Sequence, residues 1–205
     1  MNVTIFDYGA GNLHSLSKAL ESADVVVRIE TDPTRAVQDG TSVLVLPGVG
    51  AFGAAAERLA PGRDAMRAAI MGGLPTIGIC LGMQLLFDGS DEGEGEGLGV
   101  IPGRVTRLRA MRVPQIGWNA LEMVPGDSLF VAAPLPMVYY ANSFVCRPVS
   151  TSVVTAWTVH EGDRFPAAVR TGQAVGVQFH PEKSSTQGVR FLHALLDDAR
   201  SIEGR

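Results

Sequence analysis

The chain has 205 residues, 46% hydrophobic and 19% charged, with a formal net charge of −4 and a pI near 5.5. This length supports one domain with a substantial core, and the acidic balance argues against a general nucleic-acid binder. No apolar run approaches the ~20 residues needed to cross a bilayer. The two cysteines, Cys80 and Cys146, make no disulfide framework and fit a reducing compartment such as the cytoplasm.

Met1 to Asp7 reads as a first strand rather than a signal peptide, with its apolar run at Val3 to Phe6. Leu13, Leu16 and Leu20 recur at helical spacing, predicting a helix from Leu13 to Ala23. Val25 to Ile29 and Val43 to Leu46 are strand-like, Ala54 to Ala60 and Asp64 to Met71 helical, and Pro75 to Ile79 strand-like again. Strands that are apolar throughout and separated by helices predict an α/β fold. Its sheet is mixed but mostly parallel, flanked by helices in a flavodoxin-like core, with ligands at the C-terminal strand ends. Cys80 lies at one such end and Pro47-Gly48-Val49-Gly50 at another.

Gly89 to Gly99 is rich in glycine and glutamate and reads as a mobile, solvated loop. Beyond it come short runs at Arg104 to Leu108, Trp118 to Met123, Met137 to Tyr140, Val153 to His160, Ala167 to Thr171 and Ala174 to Phe179. With turn residues and no long helices between them, they are expected to add antiparallel strands to the sheet. Thr186 to Ala199 suits a closing helix, and residues 1–201 read as one domain. Residues 202–205 match a protease recognition sequence and read either as a native tail or as an expression scar.

The chemistry-bearing segment is Gly78-Ile79-Cys80-Leu81-Gly82-Met83-Gln84. A β-branched run ends in Gly-x-Cys-x-Gly and a helical pattern follows at once, which holds a nucleophile on a sharp strand-to-helix turn. Backbone N–H groups of the new helix point at the same spot and offer an oxyanion donor. A buried structural cysteine fits this segment equally well when it is read alone. Of the four histidines, His193 lies within the closing helix, His160 precedes a turn and His14 follows the first loop. His180 instead begins His180-Pro181-Glu182 at the end of an apolar strand. Pro181 biases His180 to an extended conformation, in which residues two apart face the same side, so Glu182 can orient the imidazole. Nucleophile, base and orienter thus occur in a workable order. No pair of Cys or His residues has metal-ligand spacing, so neither a zinc site nor another cofactor is expected.

The Gly78 to Gln84 and Gln178-Phe179-His180-Pro181-Glu182 segments, about a hundred residues apart, resemble the two signatures of class I, triad-type glutamine amidotransferases. Pro47 to Gly50 resembles the same family's oxyanion-loop segment. Four further stretches resemble one branch of the family, whose glutaminase passes ammonia to a (βα)8-barrel cyclase. They are Asp7 to Leu13, Gly97 to Gly103, Val113 to Asn119 and Tyr139 to Phe144. Gln115 and Asn142 depart from this pattern, standing where histidine is common in the branch.

The resemblance implies a cytoplasmic glutaminase acting on L-glutamine, with Cys80 as nucleophile, His180 as base and acid, and Glu182 as orienter. It implies oxyanion donors at Leu81 and at Gly48 or Val49, and substrate contacts at Gln84, Ser143 and Phe144. It also implies a cyclase interface including Asn12, Trp118 and Lys183. Three other readings share parts of the pattern: a subunit feeding a different synthase, a stand-alone cysteine hydrolase, and a non-catalytic interaction subunit.

Overall fold

The computed structural model describes residues 1–203 apart from Asn12 and Asp39. Asn12, expected at the partner interface, therefore lies outside the described residues. The first half alternates as the apolar pattern predicts: β1 (Asn2–Phe6), α1 (Leu13–Glu21), β2 (Val26–Glu30), β3 (Val43–Leu46), α2 (Phe52–Leu59), α3 (Arg63–Met71), β4 (Thr76–Ile79) and α4 (Leu81–Leu85). The second half contains β5 (Gly89–Ser90), β6 (Gly103–Arg107), β7 (Gln115–Ala120), β8 (Glu122–Met123), α5 (Ser128–Ala132), β9 (Met137–Asn142) and β10 (Phe144–Pro148). It continues with β11 (Val154–His160), β12 (Asp163–Thr171), β13 (Ala174–Val177) and the closing α6 (Ser185–Glu203).

An eight-stranded sheet runs β2-β1-β3-β4-β13-β12-β11-β8. The first five strands pair in parallel and the last three antiparallel. Alternation along the strands divides the core. Val3, Ile5, Val43, Val45, Ile77 and Val177 pack with α1, α5 and α6. Phe6, Leu44 and Leu46 pack with α2, α3 and α4. Period-2 side chains on a doubly covered parallel sheet produce this division.

The expected antiparallel additions are only partly additions to this sheet. β11, β12 and β8 join it, whereas β7 and β9 form a separate two-stranded sheet and β10, β6 and β5 another. The β7–β9 pair packs face-on: Tyr140 of β9 is fully buried, with its ring 6.2 Å from both Phe165 and Phe179. β10 and α5 have weak apolar periodicity and were not expected. α5 forms because the Asp127 carboxylate accepts from Leu129 N and Phe130 N, at 3.1 and 3.2 Å.

The Gly89 to Gly99 segment is also better tied than a solvated loop. Ser90 and Leu98 are buried, Leu98 N donates to Leu85 O at 2.7 Å, and Glu92 Oε2 accepts from Phe52 N at 2.9 Å. A helix leaves its first N–H groups unpaired, and the Glu92 carboxylate supplies α2 with a partner and a favourable charge.

Candidate active site

β4 ends at Ile79 and α4 begins at Leu81, so Cys80 alone makes the turn, with φ 47° and ψ −102°. A non-glycine residue in such a conformation costs on the order of 1–3 kcal/mol, and the surroundings must hold it there. Cys80 N donates to Val177 O at 2.7 Å, tying the turn to β13, and Cys80 O accepts the first bond of α4 from Gln84 N at 3.1 Å. The flanking glycines permit the tight crossing. A Cβ on Gly78 would stand 2.7 Å from Gly82 O, and one on Gly82 would run into Leu46 O on β3.

The parallel register places Val177 beside Ile79, so the chain leaving β13 passes Cys80 immediately. In this extended stretch, side chains alternate. Phe179 points into the core, its ring 5.8 Å from Phe191 and 6.2 Å from Tyr140. Such aromatic pairs add about 0.5–1.5 kcal/mol each beyond burial, which anchors the strand end. Gln178 and His180 face the thiol. His180 Nδ1 lies 2.8 Å from Glu182 Oε1, and its backbone N–H donates to Tyr139 O at 2.9 Å. Ser184 Oγ donates to His180 O at 2.7 Å and accepts from Tyr139 N at 2.9 Å, closing the loop onto β9.

His180 is only 1% exposed. Burial is the largest influence on its imidazole and lowers the pKa. Hydrogen bonds to Cys80 and Glu182, with their charges, together outweigh burial and lift it from 6.5 to about 10. With its pKa raised this far, His180 favours the protonated imidazolium at neutral pH, beside Cys80 and with the Glu182 carboxylate against its ring.

A cavity of about 240 Å³ opens onto Cys80. It is lined by Gly48, Val49, Leu81 and Gln84 on one side and Asn142, Ser143 and Phe144 on the other. The structure thus brings the expected nucleophile, oxyanion and substrate-contact residues to one place. A larger groove of about 750 Å³ runs between α5 and α6 and contains none of them. Gly48 is pressed under the imidazole: a Cβ there would stand 2.9 Å from His180 Cε1. Pro47 O accepts from the buried Tyr8 hydroxyl. Lys183 is exposed and shares a crevice with Glu182, Gly11 and the Pro47 to Val49 loop. Trp118 is 52% exposed, edge-on to Tyr139 at 6.2 Å, and so is a surface residue rather than part of the core.

Three residues at the site escaped sequence reasoning. Asn142 lines the cavity and donates from Nδ2 to Phe144 O at 3.2 Å, although its sequence interest was only as a departure. Tyr8 offered no sequence signal for its bond to Pro47. Gln178 donates from Nε2 to Cys80 Sγ at 3.4 Å, and its spacing of two from His180 was a usable signal.

Residues 4–197 match the family model described as glutamine amidotransferase class-I. A Synechocystis sp. protein named imidazole glycerol phosphate synthase subunit HisH is 41% identical over 197 residues, covering 93% of each chain. The protein of that name from Symbiobacterium thermophilum is 43% identical over 195 residues, covering 93% of this chain and 91% of the relative. The one from Halobacterium salinarum is 40% identical over 205 residues, covering 96% and 93%. Among solved structures, a glutamine amidotransferase superimposes with a TM-score of 0.73 at 22% identity, covering 97% of this chain and 98% of that one. PurLQS from Thermotoga maritima gives 0.70 at 18% identity, covering 96% and 98%. At these identities the structures speak for the fold.

Proposed function

The chain belongs to the class-I glutamine amidotransferases, and from that premise we propose that it is the glutaminase subunit of an imidazole glycerol phosphate synthase. It hydrolyses L-glutamine to glutamate and ammonia. The observation that carries the chemistry is Cys80 held at φ 47° beside a buried His180 whose Nδ1 lies 2.8 Å from Glu182. Full-length relatives named as this subunit support the assignment to the synthase.

In this reading the Cys80 thiolate attacks the side-chain carboxamide carbon while His180 holds the thiol proton. The tetrahedral oxygen takes hydrogen bonds from Leu81 N–H, at the open start of α4, and from a backbone N–H of Gly48 or Val49. Collapse breaks the C–N bond, and His180 delivers its proton to the leaving ammonia. A water then attacks the thioester, giving its proton to His180, and glutamate and the free thiol result. Glu182 keeps the imidazole oriented throughout. Gln84, Ser143 and Phe144 contact the substrate from the cavity walls.

Ammonia is the product to be kept from water. We assign it to a (βα)8-barrel cyclase subunit (HisF) in a cytoplasmic heterodimer, with ammonia channelled to that subunit. The cyclase makes imidazole glycerol phosphate and an aminoimidazole carboxamide ribotide in histidine biosynthesis, a lyase step. The outward face of the β7–β9 sheet supports a docked partner: Ile116, Trp118 and Met137 are 67%, 52% and 43% exposed along it, Ile116 nearest the strand end that carries Asn142 into the cavity. A contiguous exposed apolar patch of this kind marks an interaction surface, with the aromatic as its anchor. The exposed Lys183, beside the Pro47 to Val49 loop, is assigned to the same interface as a charge that would face the partner.

Measuring ammonia release from glutamine, with and without the cyclase and its ligand, tests the reading. Release that rises with the partner supports it. Full activity of the isolated chain would mark a stand-alone hydrolase, and no release in either case from folded protein would mark a non-catalytic subunit.

A further inference from the structure

Gln178 has no part in the mechanism above, yet it is fully buried at the thiol. Its backbone N–H donates to Ala167 O at 2.9 Å, fixing it at the end of β13. Its side-chain Nε2 lies 3.4 Å from Cys80 Sγ, and its Oε1 accepts from Gln84 Nε2, also at 3.4 Å. Gln84 Nε2 in turn donates to Phe144 O at 3.2 Å. The order of donors fixes which way both amides face. Phe144 O can only accept, so the Gln84 amino group must face it. That same amino group meets Gln178 Oε1, which leaves the Gln178 amino group facing the sulfur.

A neutral amide can donate to sulfur but can neither take its proton nor give one up. Sγ is thereby placed between two donors of different kinds, the imidazolium of His180 and the permanent N–H of Gln178. A hydrogen bond to an ionised group is about twice as strong as one between neutral groups, so this donor favours the anion over the thiol. It also restricts where the sulfur sits: the Cys80 backbone is held in its strained conformation, and the Gln178 side-chain nitrogen lies 3.4 Å from the sulfur.

We propose that Gln178 is a positioning residue for the nucleophile: its N–H donates to Cys80 Sγ and steadies the sulfur for attack, and its carbonyl ties that hold to Gln84 on the substrate side. This rests on Cys80 being the nucleophile. No bond is made or broken at Gln178, and the thiol proton resides on His180 as before. Because Gln84 lines the cavity, a glutamine bound against it settles the same amide whose N–H steadies Gln178. Substrate binding and thiol alignment are thus joined through two side chains.

The test reads the thiol directly, as the pH dependence of iodoacetamide alkylation of Cys80 in the full-length chain. Gln178→Met keeps the volume and removes the donor, and should move the half-maximal alkylation pH up by about one unit, a tenfold change in the ionisation equilibrium. Gln178→Glu keeps the tie to Gln84 but turns a carboxylate toward the sulfur, and should move it further. Glutaminase kcat should fall about tenfold in Gln178→Met with KM within twofold, because Gln84 keeps its bond to Phe144 O. An unchanged alkylation profile in the two folded variants overturns the proposal, as does a loss confined to KM.

A measurement on the unmutated chain covers the case in which neither variant folds. The Gln178 side-chain amide proton should shift downfield as the thiol ionises and lose that shift once Cys80 is alkylated. No change in its resonance across the titration overturns the proposal equally. The Cys80→Ala chain separates the two levels: if it still released ammonia, the assignment of the nucleophile would be wrong, whatever the alkylation profile of Cys80 shows.

Discussion

Cys80 is held through both its backbone N–H and its carbonyl, and its neighbour Gly82 has Leu46 O against it. In the facing Pro47 to Gly50 loop, the one hydrogen bond between described residues runs from Tyr8 to Pro47 O. In the function proposed above, the two loops supply the two things acyl transfer needs, a nucleophile and an oxyanion donor. One is locked by strand register and hydrogen bonds, and the other is held by the Tyr8 bond at its base and by the packing of Gly48 under His180. In that function, the loop with fewer hydrogen bonds between described residues is the oxyanion side, and it is where a partner would act on the rate.

The largest expected effect comes from removing the rigid side's chemistry. Cys80→Ala should reduce ammonia release from glutamine to background, a loss on the order of 10⁴-fold or more. With a cyclase present, synthesis from added ammonia should persist. If that synthesis vanished as well, the division of labour between the subunits would fail with it.

Gly48→Ala attacks the seam between the two loops. The new Cβ would stand 2.9 Å from His180 Cε1, so either the ring turns or the loop retreats. Glutaminase kcat should fall about 100- to 1,000-fold, the usual loss for one oxyanion donor. The fold should lose only about 1–3 kcal/mol, the ordinary range for overpacking. A variant with normal kcat would show that this loop does not supply the donor.

The two loops also differed in how far the sequence revealed them. The Gly-x-Cys-x-Gly elbow and His180-Pro181-Glu182 were readable because each encodes its own local geometry: a glycine-flanked turn and an extended His-x-Glu. The parallel half of the sheet was readable for a similar reason, since apolar runs alternate with helices. Tyr8 was not, and the spacing of Gln178 from His180 signalled its face but not its contact with Cys80, because these partners lie 39 and 98 positions away and arise only when β1, β3, β4 and β13 come together. The β7–β9 pair was misjudged as part of the main sheet because alternation gives a strand's face but not its neighbour. The ordering of Gly89 to Gly99 was hidden because its glycines and glutamates suggest solvent. The decisive bond, from Phe52 N–H to Glu92, is a tertiary helix cap 40 positions away in sequence.

Glu182→Gln probes the rigid side more gently. His180 is raised to about 10, so its charged form is favoured in the fold. That contribution to stability is complete below about 6.5 and is lost as pH rises through about 10. Glutamine at position 182 keeps a hydrogen bond but removes the charge, so the loss should begin at lower pH. Urea unfolding between pH 6 and 10 should show the variant's stability falling earlier than the parent's. Glutaminase kcat should drop roughly tenfold at neutral pH and more steeply above it, since each unit of imidazole shift is a factor of ten in its protonation equilibrium. Identical pH profiles for the two proteins would mean that Glu182 does not govern the imidazole.

Tyr8→Phe gives the smallest effect and the most direct test of the contrast between the loops. It removes one hydroxyl and leaves the Pro47 carbonyl buried without that donor, at a cost of about 1–3 kcal/mol. In a chain of this size each kcal/mol lowers Tm by about 2–4 °C. The carbonyl of Pro47 and the N–H of Gly48 belong to one planar peptide, so freeing the first frees the second. Nothing in the hydrogen bonds that hold Cys80 passes through Tyr8, and the pH dependence of Cys80 alkylation should therefore stay that of the parent while glutaminase activity changes. If alkylation shifted in step with activity, the two loops would be one mechanical unit. The nucleophile could then no longer be considered fixed in advance of its oxyanion donor.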